Sequence, residues 1–562
     1  MKKKSGPGSV SLRGALACVF ISGAGLLVYF KSLFFGFTYL DDNALVINNH
    51  NFLSRLSNVL EAFRHEVFHI LHSSAAYYRP LLTVSLLFDA QLGGTNPFIY
   101  HLTNIIIHLA ASCLVFKFFS KLGYPFRPAL FFSLLFSVHP VLAQAVSWIP
   151  GRNDSLLALF GLASFIFFLD FLETKKIRYC LAHIFFFCLA LFTKESALML
   201  MPVCILYYWL IWKKRGVSKK GDVSTFPELG ARKVETSPFF VLAGWLAVSG
   251  LWFFMRSVAL SDNPMPMTVA NMVKSMLLNL PALIQFIGKI IFPFNLSVLP
   301  LIQDTTFVYG ILALALITPA LFFSKHARRG FVIFGAAWFL LFLLPSFIRP
   351  NPKIAADFIE HRVYMPLAGF FILLLETDIM KKLDFGLKRN FTAASAVIIL
   401  FAAITFFHTG NFRDKLSFWL NAVKNSPHSP LAHRNLGAMY YLEGSLDKAE
   451  PEYKKALELN ALEPMAHNNL GLIYASRGEL EAAEEEYKME LAVNPDYDDV
   501  RFNLGILYYN QGKPEEAEKL WKETIAINPD YADAYRNLAA FYYSQGDFAQ
   551  ADYFEGEFKK KQ

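Results

Sequence analysis

Up to about residue 409 the chain alternates long apolar runs with short polar connections, and then its pattern changes. Apolar runs lie near 12–35, 98–119, 129–148, 155–172, 179–193, 196–212, 238–259, 306–323, 331–348, 362–379 and 392–408. In a bilayer only a helix or a closed barrel satisfies its own backbone, so each run predicts a helix, eleven spans in all. The stretch 263–304 is apolar too, but Pro281 interrupts it and Pro293 bounds it, which predicts a re-entrant or interfacial region over 260–305. The predicted fold is all-α: a polytopic membrane helix bundle over 1–409, then a connecting half-repeat helix over 410–429, then a repeat array over 430–562.

The array repeats every 34 residues. Asn435-Leu436-Gly437, Asn469-Leu470-Gly471, Asn503-Leu504-Gly505 and Asn537-Leu538-Ala539 stand in register, followed by Gly444, Gly478, Gly512 and Gly546. Tyr453, Tyr487 and Trp521 continue the pattern, and the last repeat departs from it at Glu555. Period and pattern are those of a tetratricopeptide α-solenoid.

Composition sharpens the first half. Hydrophobic residues are 54% and charged residues 17% of the 562, against about 25% charged in soluble domains, which excludes disordered and soluble classes. The net charge of +8 divides into +17 over residues 1–409 and −9 over 410–562. The basic residues sit in connections, Lys213–Lys220 within a loop at 213–237 among them, and mark those connections as cytoplasmic. The N-terminus is then cytoplasmic, residues 38–97 form the first extracytoplasmic loop, and the repeats are extracytoplasmic. No nucleic-acid motif, P-loop, dinucleotide fingerprint or nucleophile elbow is present. The five cysteines all fall in apolar runs and read as core residues.

Candidate chemistry collects on one face of the predicted bundle. Asp41-Asp42 follow the first span, where paired acids can supply a general base. Arg79, His101, His139, Arg152, Asn153, Asp154, Lys194, Glu195, Glu360, His361 and Arg362 lie at span ends on or near that same face. Cations at membrane depth tend to mark substrate paths, and Arg forks onto phosphate, so the set suggests an anionic lipid substrate. His65-Glu66-Val67-Phe68-His69, with His72 beyond it, matches a zinc-protease pattern, but the segment 58–72 is expected to be a short interfacial helix between spans. A divalent metal has no support from the sequence. In the array, Asn435, Asn469, Asn503 and Asn537 can form a ladder of amides for an extended acceptor peptide.

The order of these residues resembles a family. Tyr39-Leu40-Asp41-Asp42-Asn43, Tyr78-Arg79-Pro80-Leu81, Tyr100-His101-Leu102-Thr103-Asn104, His139-Pro140, Gly151-Arg152-Asn153-Asp154, Lys194-Glu195, Asp262-Asn263-Pro264 and Glu360-His361-Arg362-Val363-Tyr364-Met365-Pro366 precede the repeats. The chain is similar to the transmembrane and tetratricopeptide-repeat (TMTC-type) protein O-mannosyltransferases of the GT-C glycosyltransferase superfamily. The resemblance covers nearly the whole chain; it departs in a short array and in Gln144, near where the family often has Glu. It implies an integral-membrane glycosyltransferase with a polyprenyl-phosphate sugar donor and an acceptor polypeptide. It also implies Asp41 or Asp42 as base, and Arg362, Arg79, Lys194 and Tyr364 as donor phosphate or lipid contacts. Two other readings remain: a GT-C transferase acting on a lipid or glycan, and a non-catalytic scaffold that recruits partners through its repeats. The lysine-only start and compact loops favour a bacterial inner membrane over the endoplasmic reticulum.

Overall fold

The computed structural model describes residues 12–69, 77–214, 238–260, 268–348 and 358–561. Lys2–Lys4, His72, the Asp262-Asn263-Pro264 motif and residues 215–237 of the basic loop lie outside the described residues. Regular structure among the described residues is helical, and the chain divides into two units, 1–421 and 422–562.

In the first unit seven helices are long and apolar enough to cross a membrane: Leu12–Phe34, Pro97–Lys121, Ile149–Thr174, Glu195–Trp212, Phe239–Ala259, Arg329–Phe347 and Lys388–Phe412. Two helix pairs, Phe126–Ser137 with Pro140–Ser147 and Val269–Asn279 with Ala282–Ile291, pass the same test together but bend by 47°. Candidate spans among the described residues therefore number seven to nine, not eleven. The difference has a physical source: the runs at 179–193, 306–323 and 362–379 yield helices Ile177–Thr193, Val308–Phe322 and Pro366–Glu376, of 17, 15 and 11 residues, short of the roughly 20 that a straight span uses. A fourth short apolar helix, Pro80–Gly93, lies in the stretch the sequence assigns to the first loop.

Both bends sit at proline, whose missing N–H and ring break the helical ladder. At the first, His139 Nδ1 accepts from the Val141 N–H at 3.3 Å, capping the second half. Its Nε2 donates to the Ile290 carbonyl at 3.1 Å, so one neutral imidazole joins the two broken helices. Elsewhere helices approach closely through glycine. A Cβ on Gly369 would lie 2.7 Å from the Gly335 carbonyl, which fixes the crossing of Arg329–Leu343 with Pro366–Glu376. At the opposite end of these helices the buried carboxylate of Glu376 collects Arg328, Lys381 and Tyr124.

The predicted helix over 58–72 does not form among the described residues. Short 3₁₀ turns at Leu56–Val59 and Glu61–Phe63 replace it. His65 and His69 stack with centroids 5.1 Å apart, and among the described residues no group of three or more His, Cys, Asp or Glu side chains is arranged to hold a metal ion.

The second unit is eight helices, from Pro430–Leu442 to Phe548–Lys561, paired through glycines of positive φ at 444, 478, 512 and 546. The Asn-Leu-Gly glycines have a packing cause. A Cβ on Gly471 would lie 2.5 Å from Tyr487, and one on Gly505 2.5 Å from Trp521, because an aromatic of the following helix lies over the glycine. In the last repeat that aromatic is Glu555, and the glycine is Ala539.

Candidate functional site

Three elements from distant parts of the first unit build the candidate site. The first is the turn after the first span. Tyr39 takes a left-handed φ of 60°, a strained conformation for a non-glycine residue, and turns the chain so that Asp42 folds back on Thr38. Asp42 Oδ2 accepts from the Thr38 N–H at 2.6 Å and from Thr38 Oγ1 at 2.5 Å. Asp42 is 1% exposed, and its Oδ1 has no hydrogen-bond partner. Burial pushes its carboxyl up to about 6, against the opposing pull of the two Thr38 bonds. Asp41 beside it is half-buried.

The second element runs through the Trp148–Asp154 segment. Trp148 Nε1 donates to Thr38 Oγ1 at 3.1 Å, and the indole lies 5.7 Å from the His361 ring, centroid to centroid. His361 Nε2 stands 3.4 Å from Asp154 Oδ2. Asp154 in turn holds Lys194 Nζ with both oxygens, at 2.8 and 2.7 Å.

The third element is the Lys194-Glu195 junction. Arg79 forks onto Glu195 at 2.8 and 3.3 Å and stacks on the Tyr77 ring at 4.6 Å. Arg79 also senses Asp154. Burial holds Lys194 below its usual range, with Asp154 opposing. The result is two partly buried cations, each steadied by a carboxylate, joined through His361, Trp148 and Thr38 to a buried acid.

Other candidate residues lie elsewhere in the unit. Arg152 is fully buried and bound to Asp89 at 2.5 Å, Asn104 Oδ1 at 2.6 Å, the Tyr100 carbonyl at 2.8 Å and Ser85 at 3.2 Å. It pins the Pro80–Gly93 helix to two neighbours. Arg152→Gln leaves the Asp89 carboxylate buried without its cation and is expected to cost about 3–5 kcal/mol. Arg152→Gln combined with Asp89→Asn should regain most of that loss, read as melting temperature in detergent. His101 is buried edge-on to Phe35, and His139 sits at the helix break. The Tyr364 hydroxyl bonds His108 Nδ1 at 2.6 Å, deep in the bundle. Asn153 is buried, Arg362 is half-buried beside His361, and Gln144 donates to the Val298 carbonyl at 3.0 Å.

Sequence reasoning missed Thr38, Trp148 and Lys289. Glu360, a candidate by sequence, pairs with Lys289 Nζ at 2.7 Å. The one available signal was Lys289 itself, a lone cation in the apolar run 282–291. In the second unit Asn435, Asn469, Asn503 and Asn537 are all half-buried, and Asn503 donates to Asn468 Oδ1 at 3.0 Å, a rung between neighbouring repeats.

Both units resemble known proteins in sequence. A family described as dolichyl-phosphate-mannose-protein mannosyltransferase matches residues 80–224, and tetratricopeptide-repeat families match 403–464, 471–512 and 502–557. Protein O-mannosyl-transferase F38B6.6 of Caenorhabditis elegans is 26% identical over 472 residues, covering 80% of this chain and 63% of its own length. Protein O-mannosyl-transferase TMTC4 of Homo sapiens is 25% identical, covering 74% of this chain and 63% of its own length. Protein O-mannosyl-transferase TMTC2 of Homo sapiens is 34% identical over 27% of this chain and 18% of its own length. The chain thus spans under two thirds of the curated relatives it matches. Among solved structures, the crystal structure of MamA matches with 24% identity and a TM-score of 0.25, covering 27% of this chain and 89% of that one. With a helical unit bearing candidate membrane spans, a mannosyltransferase-type segment and repeats in this order, the chain is similar to the protein O-mannosyl-transferases named above over most of its length.

Proposed function

We propose that the protein is a glycosyltransferase that moves a sugar, mannose by analogy with its relatives, from a polyprenyl-phosphate carrier to a Ser or Thr hydroxyl of a polypeptide on the extracytoplasmic face. The observation that carries this reading is the continuous chain from Asp42 through Thr38, Trp148 and His361 to Asp154–Lys194, with Arg79–Glu195 beside it. Such a transfer requires a base and cations for the leaving phosphate, and this chain joins the Asp41-Asp42 turn at one end to two ion-paired cations at the other.

In the reaction the bond from the sugar's anomeric carbon to the phosphate oxygen breaks, and a bond to the acceptor oxygen forms. The acceptor proton goes to a carboxylate of the Asp41-Asp42 pair. Asp41, half-buried, is the member an acceptor can reach; Asp42, fixed on Thr38, sets the turn that presents it. The polyprenyl phosphate leaves as an anion, so cations suffice and no acid is needed. Arg79, Lys194 and Arg362 are the groups to receive it. A base placed in this way contributes about 10²–10⁴-fold. The chain's own residues supply every group named in these steps.

The test is transfer of radiolabelled mannose from a polyprenyl-phosphate carrier to Ser/Thr peptides by the purified chain in proteoliposomes. Label on the peptide supports the reading. Label that reaches only lipid or glycan acceptors would replace it with the alternative GT-C chemistry. For the half-buried amides, Asn469→Ala with Asn503→Ala is expected to raise the KM for peptide about tenfold while leaving kcat within about twofold. That figure follows from two lost hydrogen bonds at roughly 0.5–1.5 kcal/mol each. An unchanged KM would remove the repeats from acceptor binding.

A further inference from the structure

The Lys289–Glu360 pair has no part in the chemistry above, yet its burial is close to complete, with side chains 3% and 1% exposed. A buried ion pair is weak evidence for stability, since desolvation offsets most of the attraction. What this pair holds gives it a use. Glu360 opens a four-residue 3₁₀ turn, Glu360–Val363, whose second residue, His361, touches Asp154 and Trp148.

Glu360 Oε1 accepts from Lys289 Nζ at 2.7 Å and from the Ser297 N–H at 2.9 Å. His408 Nε2 lies 3.7 Å from the other oxygen, beyond hydrogen-bond reach. Lys289 belongs to the Ala282–Ile291 half of a broken helix, so the ion pair ties the turn to that helix. Residues 297–300 form a strap on the same anchor. Gln144 donates to the Val298 carbonyl at 3.0 Å, the Val298 N–H donates to Asn421 Oδ1 at 3.1 Å, and the Phe358 N–H donates to the Pro300 carbonyl at 2.8 Å.

We propose that Lys289 is a positioning residue. Through Glu360 and the Ser297–Pro300 strap it fixes the turn that aims His361 at the Asp154–Lys194 centre. The inference rests on the transferase reading for its kinetic arm only. Glu360 and His361 are consecutive, with Cα atoms 3.8 Å apart, so a shift of the first carries the second with it. Loss of the Lys289 cation leaves a buried carboxylate that must move toward water, and the turn moves with it. A displacement of about 1 Å at such a distance can cost about 10²-fold in rate.

The test uses the full chain with its five cysteines replaced and a single reporter, Ile359→Cys, at a buried position beside Glu360. Lys289→Met is expected to speed maleimide labelling of the reporter at least tenfold, to lower kcat about 10²-fold, and to leave the KM for peptide within about threefold. Lys289→Arg should restore both readouts to within about threefold. In a His361→Ala background Lys289→Met should add little to the loss of kcat, because both act through one turn. A purely structural role predicts additive losses of kcat in the two backgrounds. Unchanged labelling with reduced kcat overturns the proposal, as does wild-type kcat in Lys289→Met. If Lys289→Met does not assemble, Lys289→Gln takes its place: the same pattern at lower amplitude supports the proposal, and wild-type labelling overturns it. If the parent chain transfers no sugar, the labelling arm still decides the clamp, and only the proposed function fails.

Discussion

Asp41→Asn is expected to lower the rate of sugar transfer by about 10²–10⁴-fold with the carrier still bound, because the amide cannot take the acceptor proton. Asp42→Asn should reduce transfer by another route. Its amide offers one oxygen to Thr38 but puts N–H groups where the partnerless Oδ1 now lies, so the turn loses its shape. Transfer rates of both purified variants decide the matter, and full activity in both removes the pair from the mechanism. Acidity gives a second readout. With Asp42 raised to about 6, the wild-type rate should fall as pH drops through that value, because the neutral carboxyl holds the two Thr38 donors less strongly than the carboxylate does and the turn that presents Asp41 loosens. Stability runs the other way. A folded pKa above the unfolded one means the folded state holds the proton more tightly, so stability is lost as pH rises from about 4 to about 6. The loss is about 3 kcal/mol from the shift. Asp42→Asn has no such ionisation, so its melting temperature relative to wild type should climb across that window while its activity stays low.

Lys194→Met is the second large effect. It leaves Asp154, 4% exposed, with His361 as its neighbour, and should cost about 3–5 kcal/mol as well as the transfer activity. A paired change separates the two losses. Lys194→Met with Asp154→Leu replaces a buried ion pair by apolar side chains and is expected to regain most of the stability. Transfer should stay at least about 10²-fold down, because the cation for the leaving phosphate is gone. Thermal melts in detergent and steady-state transfer on the same preparations give both numbers. If the pair variant recovers activity along with stability, the Lys194–Asp154 bridge is a structural strut and the phosphate contact lies elsewhere.

What could be read from the chain before its structure depends on how local the signal is. The array was legible because each repeat carries its own turn glycine, and because an aromatic such as Tyr487 demands a glycine such as Gly471 beneath it. The long spans were legible by hydropathy; Val308–Phe322 and Pro366–Glu376 were over-read, since apolar length does not show where a helix will stop. At the site, Asp154, Lys194, Glu195, Arg79 and His361 were found as polar groups at span ends. Their pairing was not, since Arg79 and Glu195 are 116 positions apart. Arg152 looked equivalent to Asp154 two residues on, but its partner Asp89 hides in an apolar helix that sequence had placed in a loop. Trp148 and Thr38 carry no signal of their own; only the backbone path between distant segments gives them a role.

The imidazole at the first helix break has a mechanical consequence. His139 caps one bent helix and grips the carbonyl of Ile290 on the other, next to Lys289. The first break is therefore tied to the far end of the Ala282–Ile291 helix rather than left to bend by itself. Whatever tightens or relaxes the Ala282–Ile291 segment is felt at Pro140 and, through the cation next to Ile290, at the turn that carries His361. Removal of this one ring should leave the Pro140 bend and the Ile290 end of the other helix free to move separately.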